Sequence, residues 1–161
     1  MVIIEDTRNQ VGKHKEINAF LKSQGHTVIR SKMLVGDYQI ANNGSVVIDT
    51  KKDVLELIQD VYQDHKRFKT ECVTAQEAGI QLYVLIEEKL PNGRLDEWVS
   101  PVWKSSTKTH KAGQPISKAN PSTLRKALYT MQERYGVKFL FCPKEKTGEI
   151  ILKILSKSVD K

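Results

Sequence analysis

The segment Gly36-Asp37-Tyr38 is followed by Asn42-Asn43-Gly44 and then by Ile48-Asp49-Thr50-Lys51. Asn and Gly tolerate positive φ, so Asn42-Asn43-Gly44 predicts a hairpin turn between a short strand over 37–40 and a return strand over 45–49. The fold-back sets Asp37 and Asp49 at corresponding outer ends of one hairpin. Side chains alternate along a strand, so Asp49 and Lys51 share a face and Thr50 takes the other. Two carboxylates and an ammonium in this arrangement suit phosphodiester hydrolysis. Mg²⁺ is a hard cation bound through one or two carboxylates, and Asp37, Asp49 and the Thr50 carbonyl can form that shell. The metal would lower the pKa of a bound water and polarise the phosphate. Lys51 would orient the attacking water and stabilise the developing charge. Asp6, at the end of a predicted first strand, is a further candidate ligand. Asp-x-Lys alone is common as a solvated surface pair; the hairpin geometry, the apolar strands around it and the basic chain set this one apart.

These side chains need a scaffold. Residues 2–5 are β-rich. A helical pattern over 13–24 carries Ile17, Phe20, Leu21 and Gln24 and is closed by Gly25. Residues 26–33 read as a strand. Asp53 is a plausible N-cap for a helix through Leu55, Ile58, Val61 and Tyr62, and a second helix over 66–78 carries Phe68, Cys72 and Ala75. Residues 81–87 form an apolar run typical of a strand buried on both faces. Pro121 and Ser122 open a helix with Leu124, Leu128, Met131 and Tyr135 on one stripe, closed by Gly136. A strand over 137–142 and an amphipathic helix with Ile150, Ile151, Ile154 and Leu155 follow. The alternation predicts one α/β domain over 1–161, a central mixed sheet flanked by helices. The stretch from about 89 to 120 is long for a loop and is a candidate functional insertion.

Lys and Arg number 26 against 19 Asp and Glu, a formal net charge of +7. This balance favours an anionic partner such as nucleic acid. Nothing approaches the ~18 consecutive apolar residues of a membrane span. The N-terminus lacks a basic region ahead of an apolar stretch, so no signal peptide is expected. Cys72 and Cys142 lie far apart without a C-x-x-C spacing, which excludes the usual zinc and disulfide patterns and leaves two buried thiols in a reducing cytoplasm. From Trp98 to Gln132 there is no acidic residue. Lys104, Lys108 and Lys111 there predict phosphate contacts, and Trp103 predicts stacking on an unpaired base, so the segment reads as a DNA clamp.

The ordered motifs resemble the nuclease domain of the XPF family of structure-specific endonucleases, in the PD-(D/E)XK superfamily. Ile3-Ile4-Glu5-Asp6-Thr7-Arg8 is similar to that family's first strand, which ends in Asp followed closely by Arg. Val35-Gly36-Asp37-Tyr38 is its V-G-D-Y segment, and Ile48-Asp49-Thr50-Lys51 stands where it has V-E-R-K. Asp53 to Ile58, Lys66-Arg67-Phe68, Tyr83 to Glu87 and Leu124 to Cys142 follow in the family's order. The resemblance implies a restriction-endonuclease-like fold and a Mg²⁺-dependent endonuclease, with Mn²⁺ substituting, acting on branched or structured DNA in repair or recombination. It adds Arg8 and Arg67 as candidate site residues. Three departures stand out. Asp49 replaces Glu, Thr50 replaces Arg, and Asn9 stands where an acidic residue commonly follows the first-strand Arg. Glu16, on the first helix, is a candidate to supply that carboxylate, and His14 could approach the same place. The family's tandem helix-hairpin-helix modules have no room here, so a homodimer or a separate DNA-binding protein is the expected partner, in a bacterial, phage or mobile-element setting. A catalytically inactive nuclease-fold module that binds DNA or scaffolds a partner is the alternative, and the retained Asp37, Asp49 and Lys51 favour activity. No RNP-type aromatic signature supports an RNA-binding protein.

Overall fold

The computed structural model describes residues 1–99 and 120–160. Six strands, β1 (Val2–Asp6), β2 (Thr27–Ser31), β3 (Tyr38–Ile40), β4 (Asn43–Lys51), β5 (Gln81–Ile86) and β6 (Lys138–Phe141), form one sheet in the order β2-β1-β3-β4-β5-β6. β3 is antiparallel to both neighbours and every other pairing is parallel, so the sheet is mixed, as expected. Helices α1 (Lys15–Ser23), α2 (Val54–Ile58), α3 (His65–Glu77), α4 (Pro121–Tyr135) and α5 (Thr147–Val159) complete the α/β fold.

Each sheet face has its own core. On one, Ile17 and Leu21 of α1 and Ile151 and Leu155 of α5 pack with Ile3, Ile48 and Leu85. On the other, Leu57, Ile58, Phe68, Cys72 and Leu128 from α2, α3 and α4 pack with Val47, Val84 and Ile86. Adjacent β4 residues Val47 and Ile48 therefore serve opposite cores. The alternation continues past the apolar stretch: Asp49 and Lys51 lie on the α2–α3 side, and Thr50 lies on the α1 side.

Local signals explain the element ends. The Asp53 carboxylate caps α2 by accepting from Glu56 N at 2.8 Å. Asn120 accepts from Thr123 N at 2.9 Å ahead of Pro121, and Gly136, at φ 69°, ends α4. Between α2 and α3 the chain makes a π-helical turn, Gln59–Gln63. Both cysteines are buried and free, and burial pushes the Cys72 thiol up to about 12. Leu95 and Trp98 are buried, so the first part of the 89–120 stretch is anchored to the core. Lys104, Lys108, Lys111, Trp103 and His110 lie outside the described residues.

The hairpin differs from the expectation in its turn. Ile40 pairs with Asn43, so the loop is Ala41-Asn42, and Gly44 is already in β4. Neither loop residue has positive φ, so the turn is not of the primed kind that matches strand twist. A register shift between Gln39 and Ile40 absorbs the mismatch. Asn43 is instead occupied elsewhere: it accepts from Ser45 N and donates to Ser158 O at the end of α5.

Just before β3, Gly36 adopts φ 73°, and a Cβ there would stand 2.3 Å from Val47 Cγ1. Only glycine lets the chain pass this close to β4 before Asp37. Gly36→Ala is therefore expected to cost at least about 2 kcal/mol, the combined strain of a left-handed alanine and an overpacked contact. A urea denaturation midpoint equal to wild type would show that the loop can re-seat around a methyl group.

Candidate active site

The β3–β4 hairpin brings Asp37 beside β4. Asp37 N donates to Ile48 O at 2.8 Å, and Asp6 N donates to Asp37 O at 2.9 Å, which fixes the Asp37 backbone between β1 and β4. Its carboxylate accepts three hydrogen bonds. Oδ2 takes Thr50 N at 2.8 Å and Thr50 Oγ1 at 2.7 Å, and Oδ1 takes Asn9 Nδ2 at 2.9 Å. Burial pushes the Asp37 carboxyl up, but the two Thr50 bonds, the Asn9 bond and nearby His14 outweigh it, and the net shift is downward. Asp37 is thus held ionised. A strand residue turns its N–H and C=O to the same side. The Thr50 N–H faces Asp37, so the Thr50 carbonyl opens on that side too, beyond the last β3 pairing.

On the α3 side, Lys51 Nζ lies 2.8 Å from Asp49 Oδ2 and 2.6 Å from Asp60 Oδ2, and 5.4 Å above the Phe68 ring. Asp49 Oδ2 has no aligned hydrogen bond despite that contact. Burial pulls the Lys51 ammonium down, but Asp49 and Asp60 outweigh it and hold the charge. Burial, with Asp37 and Glu71 nearby, raises Asp49 well above the usual carboxylate range in spite of Lys51. Glu71, on α3, accepts from Gly36 N at 3.1 Å, and burial with Asp37 and Asp60 nearby raises it also. Asp37, Asp49, Asp60, Glu71 and Lys51 line one cleft of about 420 Å³.

The other sequence candidates fall in different places. Asp6 is buried in the cleft wall, but Oδ1 accepts from Met33 N at 2.9 Å and Oδ2 from Arg8 Nε. Its carboxylate ties down the loop before β3. Arg8 is the partner of Asp6 and also reaches Met33 O at 3.3 Å. Arg67 is exposed on the rim, 3.6 Å from Asp60 and 3.7 Å from Asp64. Glu16 does not replace the missing acid: it is exposed in an adjoining depression on the α1 side. Asn9 fills the position instead, as a donor to Asp37. His14 is buried behind the sheet, with Nε2 3.2 Å from Thr50 Oγ1.

The donor set fits a divalent cation. A buried carboxylate with raised pKa and an unaligned oxygen, Asp49, sits among Asp37, Asp60 and Glu71 with one buried ammonium between them. Negative charge is in excess there, and a hard cation held by Asp37, Asp49 and the Thr50 carbonyl would relieve it.

A family model described as the ERCC4 domain matches residues 6–154. The chain belongs to the ERCC4 domain family. Among solved structures it is similar to XPF from Aeropyrum pernix, with a TM-score of 0.65 and 16% identity over 100% of this chain. It is equally similar to XPF from Aeropyrum pernix in complex with DNA, with a TM-score of 0.64 and 16% identity over 99% of this chain. The chain spans 66% and 65% of those two chains, a little under two thirds of their length. At that identity the likeness establishes the fold. No curated protein matches by sequence. Within the ERCC4 domain, Asp60 and Glu71 are the site residues that sequence reasoning missed. Asp60 sits in a π turn, out of step with a 3.6-residue stripe; the signal available was only an acid among the apolar positions Ile58 and Val61. Glu71 directly precedes Cys72 on the buried stripe of α3, and that adjacency was its only mark.

The crowded carboxylates set a pH dependence. A carboxyl raised by folding opposes stability once ionised: the native state binds more protons than the unfolded one between the ordinary glutamate value of 4.5 and the higher folded pKa of Glu71. Glu71→Gln keeps an acceptor for Gly36 N and removes the charge. In chelator, the stability of Glu71→Gln relative to wild type should rise as pH increases from 4.5 through the folded pKa, then level off. Urea titrations across that range test it, and a pH-independent difference would show that Glu71 carries no charge strain.

Proposed function

We propose that this ERCC4 domain is a Mg²⁺-dependent DNA endonuclease, with Mn²⁺ able to substitute, and that branched or structured DNA is its substrate. The supporting observation is the convergence of Asp37, Asp49, the Thr50 carbonyl and Lys51 on one cleft. The similar XPF structure with DNA makes DNA the natural substrate class. When bound, the divalent ion supplies an activated water and polarises the phosphoryl group. The chain's residues do the rest. Asp37 and Asp49, with the Thr50 carbonyl, would hold the ion. Lys51, in charge contact with Asp49 and Asp60, can turn an N–H group toward a phosphate oxygen or the incoming water. Because its charge is held, Lys51 acts as a fixed electrostatic stabiliser and not as a base. Phe68 and the cleft wall keep the ammonium from bulk water.

Incubation with labelled fork, flap, Holliday-junction and duplex DNA, in Mg²⁺ or in EDTA, tests this reading. Cleavage is expected in Mg²⁺ and Mn²⁺ and binding alone in Ca²⁺; undiminished cleavage in EDTA would sink the metal mechanism. Asp37→Ala and Asp49→Ala should lose metal binding and cleavage together. Lys51→Ala should retain metal and lose at least ~10²-fold in rate. Asp49→Glu tests whether the site accepts the longer arm.

The acid-free segment supplies a separate prediction. If Lys104, Lys108 and Lys111 contact phosphates, neutralising all three should weaken binding to every DNA alike. It should also lower the slope of log K against log salt by roughly one unit per contact. Trp103→Ala should spare duplex binding and weaken single-strand or junction binding by ~1–3 kcal/mol if the indole stacks on a base. An unchanged salt slope in the triple variant would refute the clamp.

A further inference from the structure

Thr50 departs from the motif it occupies, and it turns away from the cleft, yet its side chain bonds a cleft carboxylate. An ionised Asp37 only accepts hydrogen bonds, so at 2.7 Å the Thr50 hydroxyl proton must point to Oδ2. Thr50 Oγ1 is then the acceptor for His14, whose Nε2 carries the proton at 3.2 Å. His14 is buried, packs 5.5 Å from the Tyr38 ring, and has Nδ1 3.7 Å from Glu5 Oε2. Glu5 is itself anchored by Arg30 and by Asn18 Nδ2 at 2.6 Å. The hydrogen-bonded run His14, Thr50, Asp37 thus crosses from the α1 face to the cleft side of the sheet, with the Glu5 carboxylate beyond hydrogen-bond distance of His14 Nδ1. Its end point is specific. The Thr50 amide and hydroxyl together occupy both lone pairs of Asp37 Oδ2, whereas Oδ1 accepts only from Asn9 and keeps one lone pair free.

We propose that the Thr50 hydroxyl, steadied by His14, is a metal-selectivity device: it confines Asp37 to ligation through Oδ1 alone and so favours Mg²⁺ over Ca²⁺. Mg²⁺ demands a near-ideal octahedron of short bonds, which a one-oxygen carboxylate suits. Ca²⁺ accepts longer bonds, higher coordination and bidentate carboxylates. An Asp37 freed to rotate or to offer both oxygens gains more for Ca²⁺ than for Mg²⁺. Neither Thr50 Oγ1 nor His14 touches the ion; both are positioning residues, and partners of this kind commonly change metal affinity 10–100-fold. The inference rests on the metal-dependent reading of the site.

The test is the ratio of Mg²⁺ to Ca²⁺ affinity, measured with each ion alone by calorimetry on the full chain, beside a thermal melt. Thr50→Val keeps the branched shape, the amide and the carbonyl ligand but loses the hydroxyl; its Mg²⁺/Ca²⁺ ratio should fall about 10-fold or more. Thr50→Ser should keep the wild-type ratio. His14→Leu should shift the ratio the same way by a smaller factor, and it decides the matter if Thr50→Val does not fold. A purely structural role would lower the melting temperature and weaken both ions alike; that result, or a loss in Thr50→Ser as large as in Thr50→Val, overturns the proposal. Wild type that binds neither ion would instead overturn the metal-dependent reading itself.

Discussion

An ammonium cannot leave water without anions at contact distance, and the arrangement of the α2–α3 side follows from burying Lys51. Asp49 shares its strand face and stands two residues away, so β4 must stay extended past the apolar Val47 and Ile48. A second anion has to come from elsewhere in the chain. The π-helical turn between α2 and α3 delivers Asp60 at 2.6 Å. Phe68, in the first turns of α3, closes the contact with its ring.

That solution over-compensates. Two carboxylates suffice for one ammonium, yet Glu71 and Asp37 also border the cleft. Glu71 is held there by Gly36 N, and Gly36 is held against β4 by the absence of a side chain. The loop that places Asp37 and the helix that carries Glu71 are therefore coupled through one glycine. The cleft therefore holds more carboxylates than its one ammonium balances, and this crowding, with burial, raises Asp49 and Glu71.

The strand alternation, the fold-back and the helix ends were legible because each rests on local rules. Val47 to Lys51 alternate between two cores as a period of two requires, Asp53 caps α2, and Gly136 ends α4. The return strand begins two residues earlier than expected because the Asn-Gly rule assumes a primed turn. Here Asn43 is claimed by Ser45 and by the end of α5, a tertiary contact that no local pattern announces. Asp60 and Glu71 were hidden for a related reason: acids on buried helix faces read as surface residues until their partner Lys51 or Gly36 is located. Asp6 has partners that no local pattern announces. Its place at a strand end suggests a ligand, but Arg8 and Met33 N take its oxygens.

The two differences from the family pattern around Asp37 belong together. Where the resembled motifs carry an acid and an arginine, this chain has Asn9 and Thr50, and both side chains bond the Asp37 carboxylate. Exchanging an acid and a base for two neutral groups leaves the net charge at Asp37 unchanged. Either exchange alone would not. With Thr50 in place and an acid at position 9, a second carboxylate would lie where the Asn9 amide now meets Oδ1 at 2.9 Å, and like charges that close cannot both ionise. With Asn9 in place and an arginine at position 50, a fixed cation would pair with the Asp37 oxygens and leave a net positive charge there. A neutral pair of donors avoids both conflicts. It keeps Asp37 ionised mainly through hydrogen bonds, with nearby His14 adding to them, and it leaves one Oδ1 lone pair free.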